Sequence, residues 1–237
     1  GLAWATCEDD IKSMRENLLT ARGRLGELKG KDGAIMDFLC AFIGARESVD
    51  KLYDKSFSPK FKSILSAYVL ACNNYIRLNP EESIMQDLLP ITEKDMIVGY
   101  TVGLALMTNV PFSIMKISDG TIDNPTIRTP KGSNGFAVNA NKTKDGNTYL
   151  GINSHQPLEG PYSWYEAHLH SDEGWNILGA TFPGGVTIFH GANENLGWAH
   201  TVSFADHDDV YLLKMHPTEK LKYEYDGKWL NLKEKKV

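Results

Sequence analysis

The chain has little cysteine, no basic excess and no long apolar run, and each absence excludes something. Its three cysteines, Cys7, Cys40 and Cys72, all fall in the first half. An odd count leaves at least one unpaired within the chain, which argues against a disulfide framework. The formal net charge is -5 and the pI about 5.8. No stripe of Lys and Arg gathers on any segment, so nucleic acid is not an expected partner. No apolar stretch approaches the ~20 residues needed to span a membrane. Gly179–Gly185 is rich in glycine but lacks the spacing of a phosphate-binding loop. What remains is 237 residues, 42% hydrophobic and 23% charged. That composition suits a globular chain with one large core or two small ones.

Both ends are abrupt. Gly1-Leu2-Ala3-Trp4-Ala5 opens the chain without an initiator Met or a signal peptide. Lys235-Lys236-Val237 closes it directly after a hairpin-like stretch. The expectation is a fragment whose sheet partners lie beyond both ends.

Two grammars divide the chain, and helices followed by strands predict an α+β fold rather than alternating α/β. Residues 1–118 form a helical region, residues 119–132 a linker and residues 133–237 an antiparallel sheet region. Thr6-Cys7-Glu8-Asp9 resembles a capping box, and Ile11, Met14, Leu18, Leu25 and Leu28 follow at helical spacing towards a stop at Gly30. A second helix is expected over residues 33–44. Ser58-Pro59 is a strong helix start and Asn79-Pro80 an end. Thr92-Glu93-Lys94-Asp95 starts another helix, broken or kinked at Pro111. Beyond the linker, Phe136–Asn139 and Tyr149–Asn153 flank the turn Lys144-Asp145-Gly146-Asn147. Further strands are expected at Tyr162–His170, Trp175–Ala180, Val186–His190, Gly197–Val202 and Val210–Met215. A last hairpin turns at Asp226-Gly227.

The junction of the two regions carries Gly132-Ser133-Asn134. As a bare dipeptide Gly-Ser means nothing, since roughly one is expected in a chain this long. Its position gives it weight. A serine freed there by chain cleavage would carry a hydroxyl nucleophile and its own base, the new α-amine.

The surrounding blocks resemble the penicillin acylase family of N-terminal-nucleophile hydrolases. The resemblance rests on Gly132-Ser133-Asn134-Gly135-Phe136-Ala137-Val138, Trp164-Tyr165-Glu166-Ala167-His168-Leu169 and Gly174-Trp175-Asn176. It continues through Gly179-Ala180-Thr181-Phe182-Pro183-Gly184, Asn193-Glu194-Asn195-Leu196-Gly197-Trp198 and Asp206-His207-Asp208-Asp209-Val210-Tyr211. Ala21-Arg22-Gly23-Arg24-Leu25 matches in the first half. The blocks run in order along nearly the whole chain and are weakest over residues 31–118.

The resemblance implies a precursor that cuts itself between Gly132 and Ser133, and a sandwich of antiparallel sheets between helical layers. It implies Ser133 as nucleophile, with an α-amine of pKa ~7.7–8.0 as base. His155 would orient the amine or hydroxyl or bind the leaving group. The backbone N–H of Val202 would supply part of the oxyanion hole, and the family's second donor, an Asn side chain, lies further downstream. Gln156, His190 and His200 fall where relatives line the acyl pocket with apolar residues, and Met107 and Phe112 are the helical region's candidates for that pocket. Asp206, Asp208 and Asp209 match a loop that binds structural Ca²⁺ in some relatives; no organic cofactor is implied. The partners implied are a small acylated amide substrate and the α and β chains of one precursor. Periplasmic or secreted localisation follows from the resemblance alone.

Two other readings are open. A catalytically silent relative could keep the fold as a binding or structural module. Alternatively His168 and His170, which share one side of a strand, could join His190 or Asp172 around zinc in a metal-dependent hydrolase.

Overall fold

The computed structural model describes residues 1–82, 84–108, 110–121, 132–203 and 209–236. They fall into two compact units, one within residues 1–103 and 126–203 and the other within 104–125 and 204–237. Helices fill the first half: α1 (Leu2–Ala21), α2 (Gly26–Lys29), α3 (Lys31–Phe42), α4 (Ala45–Ser56), α5 (Pro59–Leu78), α6 (Glu93–Leu106) and α7 (Val110–Ser118). Antiparallel strands follow. β1 (Asn134–Val138) pairs with β2 (Tyr149–Asn153). The strands β3 (Tyr165–Ser171), β4 (Trp175–Thr181), β5 (His190–Ala192) and β6 (Gly197–Trp198) form a second sheet in that order. A third contains β7 (Lys214–Met215), β8 (Lys222–Tyr225) and β9 (Lys228–Asn231). The fold is therefore a mixed one, helical in its first half and antiparallel in its second.

Helix ends follow side-chain chemistry. Ser58 Oγ accepts from Phe61 N–H at 3.2 Å and Pro59 sits in the first turn, so α5 begins where expected. The first helix differs from expectation. It starts at Leu2, and Thr6 lies inside it, its hydroxyl donating back to Leu2 O at 2.9 Å. The break comes at Asp10 (φ -144°, ψ 57°), whose carboxylate accepts from Ser13 N–H at 3.2 Å and so restarts the helix. Leu25 and Leu28 lie beyond α1 because Gly23 takes a left-handed φ of 64°. Gly44 does the same at φ 69° and separates α3 from α4, a helix the periodicity missed.

In the larger unit α1 and α5 bury Leu18, Leu19, Leu65, Val69, Cys72 and Ile76 together with Met85, Leu88 and Ile91. Val186 joins that cluster from the strand-rich half. It was expected to begin a strand; instead Gly184 (φ 89°) and a Gly185 N–H to Phe182 O bond of 2.7 Å turn the chain. Val186 becomes a plug in the helical core, and β5 starts four residues later. Asn17 Nδ2 donates to Pro183 O at 2.7 Å and Tyr165 Oη to Asp9 Oδ2 at 2.6 Å, tying α1 to this region.

The most concentrated electrostatics of this unit surround Asp95, which is 4% exposed. Arg22 donates to one carboxylate oxygen at 2.8 Å and Arg46 to the other at 2.6 Å. The Thr92 N–H and hydroxyl cap the same group. Burial alone pushes this carboxyl up, but the two guanidiniums and Thr92 outweigh it and hold its pKa at about 2. An open hollow of about 530 Å³ beside it is lined by Arg22, Cys40, Arg46 and Asp95 among others.

In the smaller unit, Asp226 (φ 51°) and Gly227 (φ 69°) give β8–β9 the two left-handed residues that a tight hairpin needs.

Removing the Asp95 charge strands two guanidiniums. Asp95→Asn is expected to cost roughly 3 kcal/mol at neutral pH. Because the folded pKa is depressed, the wild-type contribution is complete above the unfolded pKa of ~3.9 and lost as pH falls towards 2. Urea unfolding of both proteins between pH 7 and pH 2 measures this, and the gap between them closes over the acid end.

Candidate active site

The hairpin β1–β2 builds the site. Its register pairs Asn134 with Asn153. Continued by one and two residues, the same register sets Ser133 opposite Ser154 and Gly132 opposite His155. Side chains follow the backbone. The half-buried Ser133 donates its hydroxyl to Ser154 O at 3.0 Å. A Cβ placed on Gly132 would lie 3.7 Å from His155 Nδ1, so the imidazole sits directly against the junction. His155 reaches it through a left-handed turn at φ 47°, uncommon for a residue with a side chain. Asn134 Nδ2 lies 3.2 Å from His155 Nε2. With that amide donating, Nε2 accepts and the ring proton sits on Nδ1, the nitrogen nearest Gly132.

An aromatic group stands behind this pair. Trp164 Nε1 donates to Ser154 Oγ. The indole stacks on Phe182 with centroids 4.3 Å apart and planes 12° apart, and meets His190 edge-on at 4.6 Å. Phe189 completes the group, 5.4 Å from Phe182 and 5.9 Å from Tyr100. His190 is buried and its Nδ1 accepts from the His200 backbone N–H at 3.1 Å, which fixes a neutral ring with the proton on Nε2. Burial and then the neighbouring His200 lower its pKa below 6.5. Close backbone contact positions it: a Cβ on Gly179 would fall 2.0 Å from His190 O. A side chain there forces β4 and β5 apart.

Of the residues expected from sequence, Ser133 and His155 are brought together, His190 and His200 meet, and Trp164 links the two pairs. Gln156 is half-buried beside His155 in sequence. Val202 is half-buried and follows a segment that lies along β1, where a Cβ on Gly135 would be 3.5 Å from Ala199 and 3.7 Å from Thr201. Met107 is 42% exposed and belongs to the smaller unit. Phe112 falls in α7, but its side chain lies outside the described residues. Asp206 and Asp208 also lie outside them; Asp209 is exposed and accepts from Tyr211 Oη at 3.4 Å. His168 Nε2 is 2.7 Å from Asn176 Oδ1, and Asn176 Nδ2 bonds Glu194, leaving this pair in a surface network. Among the described residues no three of His, Cys, Asp and Glu gather to hold a metal ion. Ser154, Trp164, Phe182 and Phe189 were not singled out for the site from sequence, although extending the hairpin register by one residue would have found Ser154.

The penicillin amidase family profile matches residues 1–237. The chain belongs to the penicillin amidase family. Among its relatives is an acyl-homoserine lactone acylase PvdQ of Pseudomonas fluorescens, 21% identical over 268 residues, which cover 100% of this chain and 34% of the relative. A PvdQ of Pseudomonas putida is 34% identical over 100 residues, 42% of this chain and 13% of its own. An acyl-homoserine lactone acylase QuiP of Pseudomonas fluorescens is 21% identical over 292 residues, 96% of this chain and 35% of its own. The chain thus spans about a third of the length of the curated family relatives it matches along its whole length.

Within this family member, the buried neutral His190 has a measurable signature. Its ring is expected to titrate below 6.5 in a histidine NMR titration. The sign follows: a depressed folded pKa gives a stabilising contribution that is complete above the unfolded value of ~6.5 and declines as pH falls below it. A titration midpoint at or above 6.5 contradicts the burial and the hydrogen bond to His200.

Proposed function

We propose that the chain is the self-cleaving core of an acylase that hydrolyses linear amides, with Ser133 as N-terminal nucleophile. The observation that carries this reading is the pairing of the Ser133 hydroxyl with Ser154 O while His155 lies against Gly132. The sheets and helices would belong to an N-terminal-nucleophile sandwich, with a helical chain ending at Gly132 and a second chain starting at Ser133.

In the uncut chain the Ser133 nitrogen is an amide and not a base. Ser133 Oγ attacks the Gly132 carbonyl carbon, the hydroxyl proton passes to the leaving nitrogen, and the Gly132–Ser133 C–N bond breaks to leave an ester. His155, which lies against Gly132, would orient the hydroxyl or the amine, or bind the leaving group. Breaking the Gly132–Ser133 bond already frees the α-amine, and water then hydrolyses the ester, regenerating the Ser133 hydroxyl and releasing Gly132 as a carboxylate. That amine, with a pKa of ~7.7–8.0, is substantially neutral near pH 8 and takes the hydroxyl proton as Ser133 attacks the substrate amide. The α-amine passes that proton to the substrate's leaving nitrogen, the amide C–N bond breaks to give the acyl-enzyme, and water releases the acid and regenerates Ser133. The Val202 N–H would donate to the oxyanion.

Phe189, His190 and His200, with Gln156, would line the acyl side, giving a pocket more polar than an all-aliphatic one. N-acyl homoserine lactones head the candidate substrates because they name the acylase relatives; β-lactam side chains and acylated peptides follow. A structural Ca²⁺ would be held by the Asp206 and Asp209 carboxylates and the Asp208 carbonyl. Localisation would be periplasmic or secreted.

Full-length Ser133→Ala is expected to remain one uncut chain without amidase activity, while Ser133→Cys still cuts. Denaturing gels and a release assay with an N-acyl homoserine lactone measure both. Ser133→Ala that still cuts and turns over sinks the proposal. An uncut wild type with intact binding would favour the silent module, and activity lost to a zinc chelator but indifferent to Ser133→Ala would favour a metal-dependent hydrolase.

A further inference from the structure

The geometry points to Ser154 and Trp164 as positioning residues that hold the Ser133 hydroxyl for both self-cleavage and turnover; this rests on the reading of Ser133 as nucleophile. Three observations lead there. Ser133 Oγ donates to the carbonyl of Ser154 at 3.0 Å. That carbonyl is followed at once by the left-handed turn at His155, φ 47°, a conformation that is unfavourable for a residue with a side chain and needs support from its surroundings. The support is visible on the other end of the same residue, where Ser154 Oγ accepts from Trp164 Nε1.

The donor is itself immobilised. Trp164 is clamped between the face of Phe182 at 4.3 Å and the edge of His190 at 4.6 Å, and Phe182 packs on Phe189 at 5.4 Å. A rigid indole therefore fixes the Ser154 side chain, Ser154 fixes its own carbonyl, and the carbonyl selects the Ser133 rotamer. Trp164 and the Ser154 hydroxyl do not touch the reacting atoms; contact with Ser133 Oγ comes through the Ser154 backbone carbonyl. Their effect is on where Oγ waits relative to the Gly132 carbonyl before cutting and relative to the α-amine afterwards. Misplacing a nucleophile by a fraction of its reach lowers rate without weakening substrate binding.

The Trp164–Ser154 bond can be removed from either end by substitution. Trp164→Phe keeps an aromatic ring on Phe182 and deletes the N–H. Ser154→Ala deletes the acceptor. Ser154→Thr keeps an acceptor at the same place.

The test measures the self-cleavage rate of freshly translated full-length protein per folded molecule, folded amount being set by circular dichroism. It then measures kcat and KM of whatever matures. Trp164→Phe and Ser154→Ala are each expected to slow self-cleavage about tenfold, the worth of one hydrogen bond, and to lower kcat with KM within about twofold. Ser154→Thr is expected to cut within about threefold of wild type. The double variant should be no slower than the worse single, because both act through one link. A merely structural role would lower the folded fraction and leave the rate per folded molecule unchanged, and that result overturns the inference. If Trp164→Phe does not fold, the Ser154→Ala and Ser154→Thr pair decides. A wild type that never cuts overturns the self-cleavage reading and this inference with it. A wild type that cuts beside a Ser154→Ala that cuts equally fast overturns this inference alone.

Discussion

Everything at the junction depends on the register of one short hairpin. β1 and β2 pair over five residues, Asn134 to Asn153 at the open end. Since side chains alternate along a strand, a slip of one residue would turn Ser133 away from the Ser154 carbonyl and His155 away from Gly132. The turn Lys144-Asp145-Gly146-Asn147 pins that register at the closed end. Gly146 supplies the left-handed φ of 72°, and the Asp145 carboxylate accepts from Asn147 N–H and from the Tyr149 hydroxyl. A local turn some ten residues away thereby decides which groups face the proposed scissile bond.

The rest of the larger unit supplies rigidity behind the hairpin. Val186 seated among the helices and the Asn17–Pro183 bond hold the 182–186 loop to α1. That loop carries Phe182, on which Trp164 stacks. Glycines at 179 and 191 let β4 and β5 approach closely enough to bring His190 against the indole. The Asp95 cluster performs the comparable task among the helices, joining α1, α4 and α6 through a single carboxylate. Hydrophobic burial makes this unit stable, and a few buried polar bonds make it specific.

What could be read in the sequence was mostly local. The Ser58-Pro59 start, the Asn79 stop and the Asp226-Gly227 hairpin are set within four residues, and the structure places them as their side chains dictate. The α1 start was misread because Thr6 satisfies a cap pattern while the effective cap, Asp10, sits inside what looked like a continuous apolar period. Val186–His190 was misread because a short apolar run does not tell a strand from a core plug. The glycine at 184 decided the matter by turning the chain. At the site, Ser133 and His155 were legible as members of ordered blocks. The Trp164–Ser154 bond was not, because it joins two residues whose partnership exists only after the hairpin and the second sheet have formed.

The proposed chemistry requires that the protein itself breaks the peptide bond before Ser133. The most direct measurement is the intact mass of the purified full-length wild-type protein under denaturing conditions, with N-terminal sequencing of each chain. Self-cleavage gives two chains, one of them beginning Ser133-Asn134-Gly135. A single uncut chain, or a cut at any other bond, would contradict it.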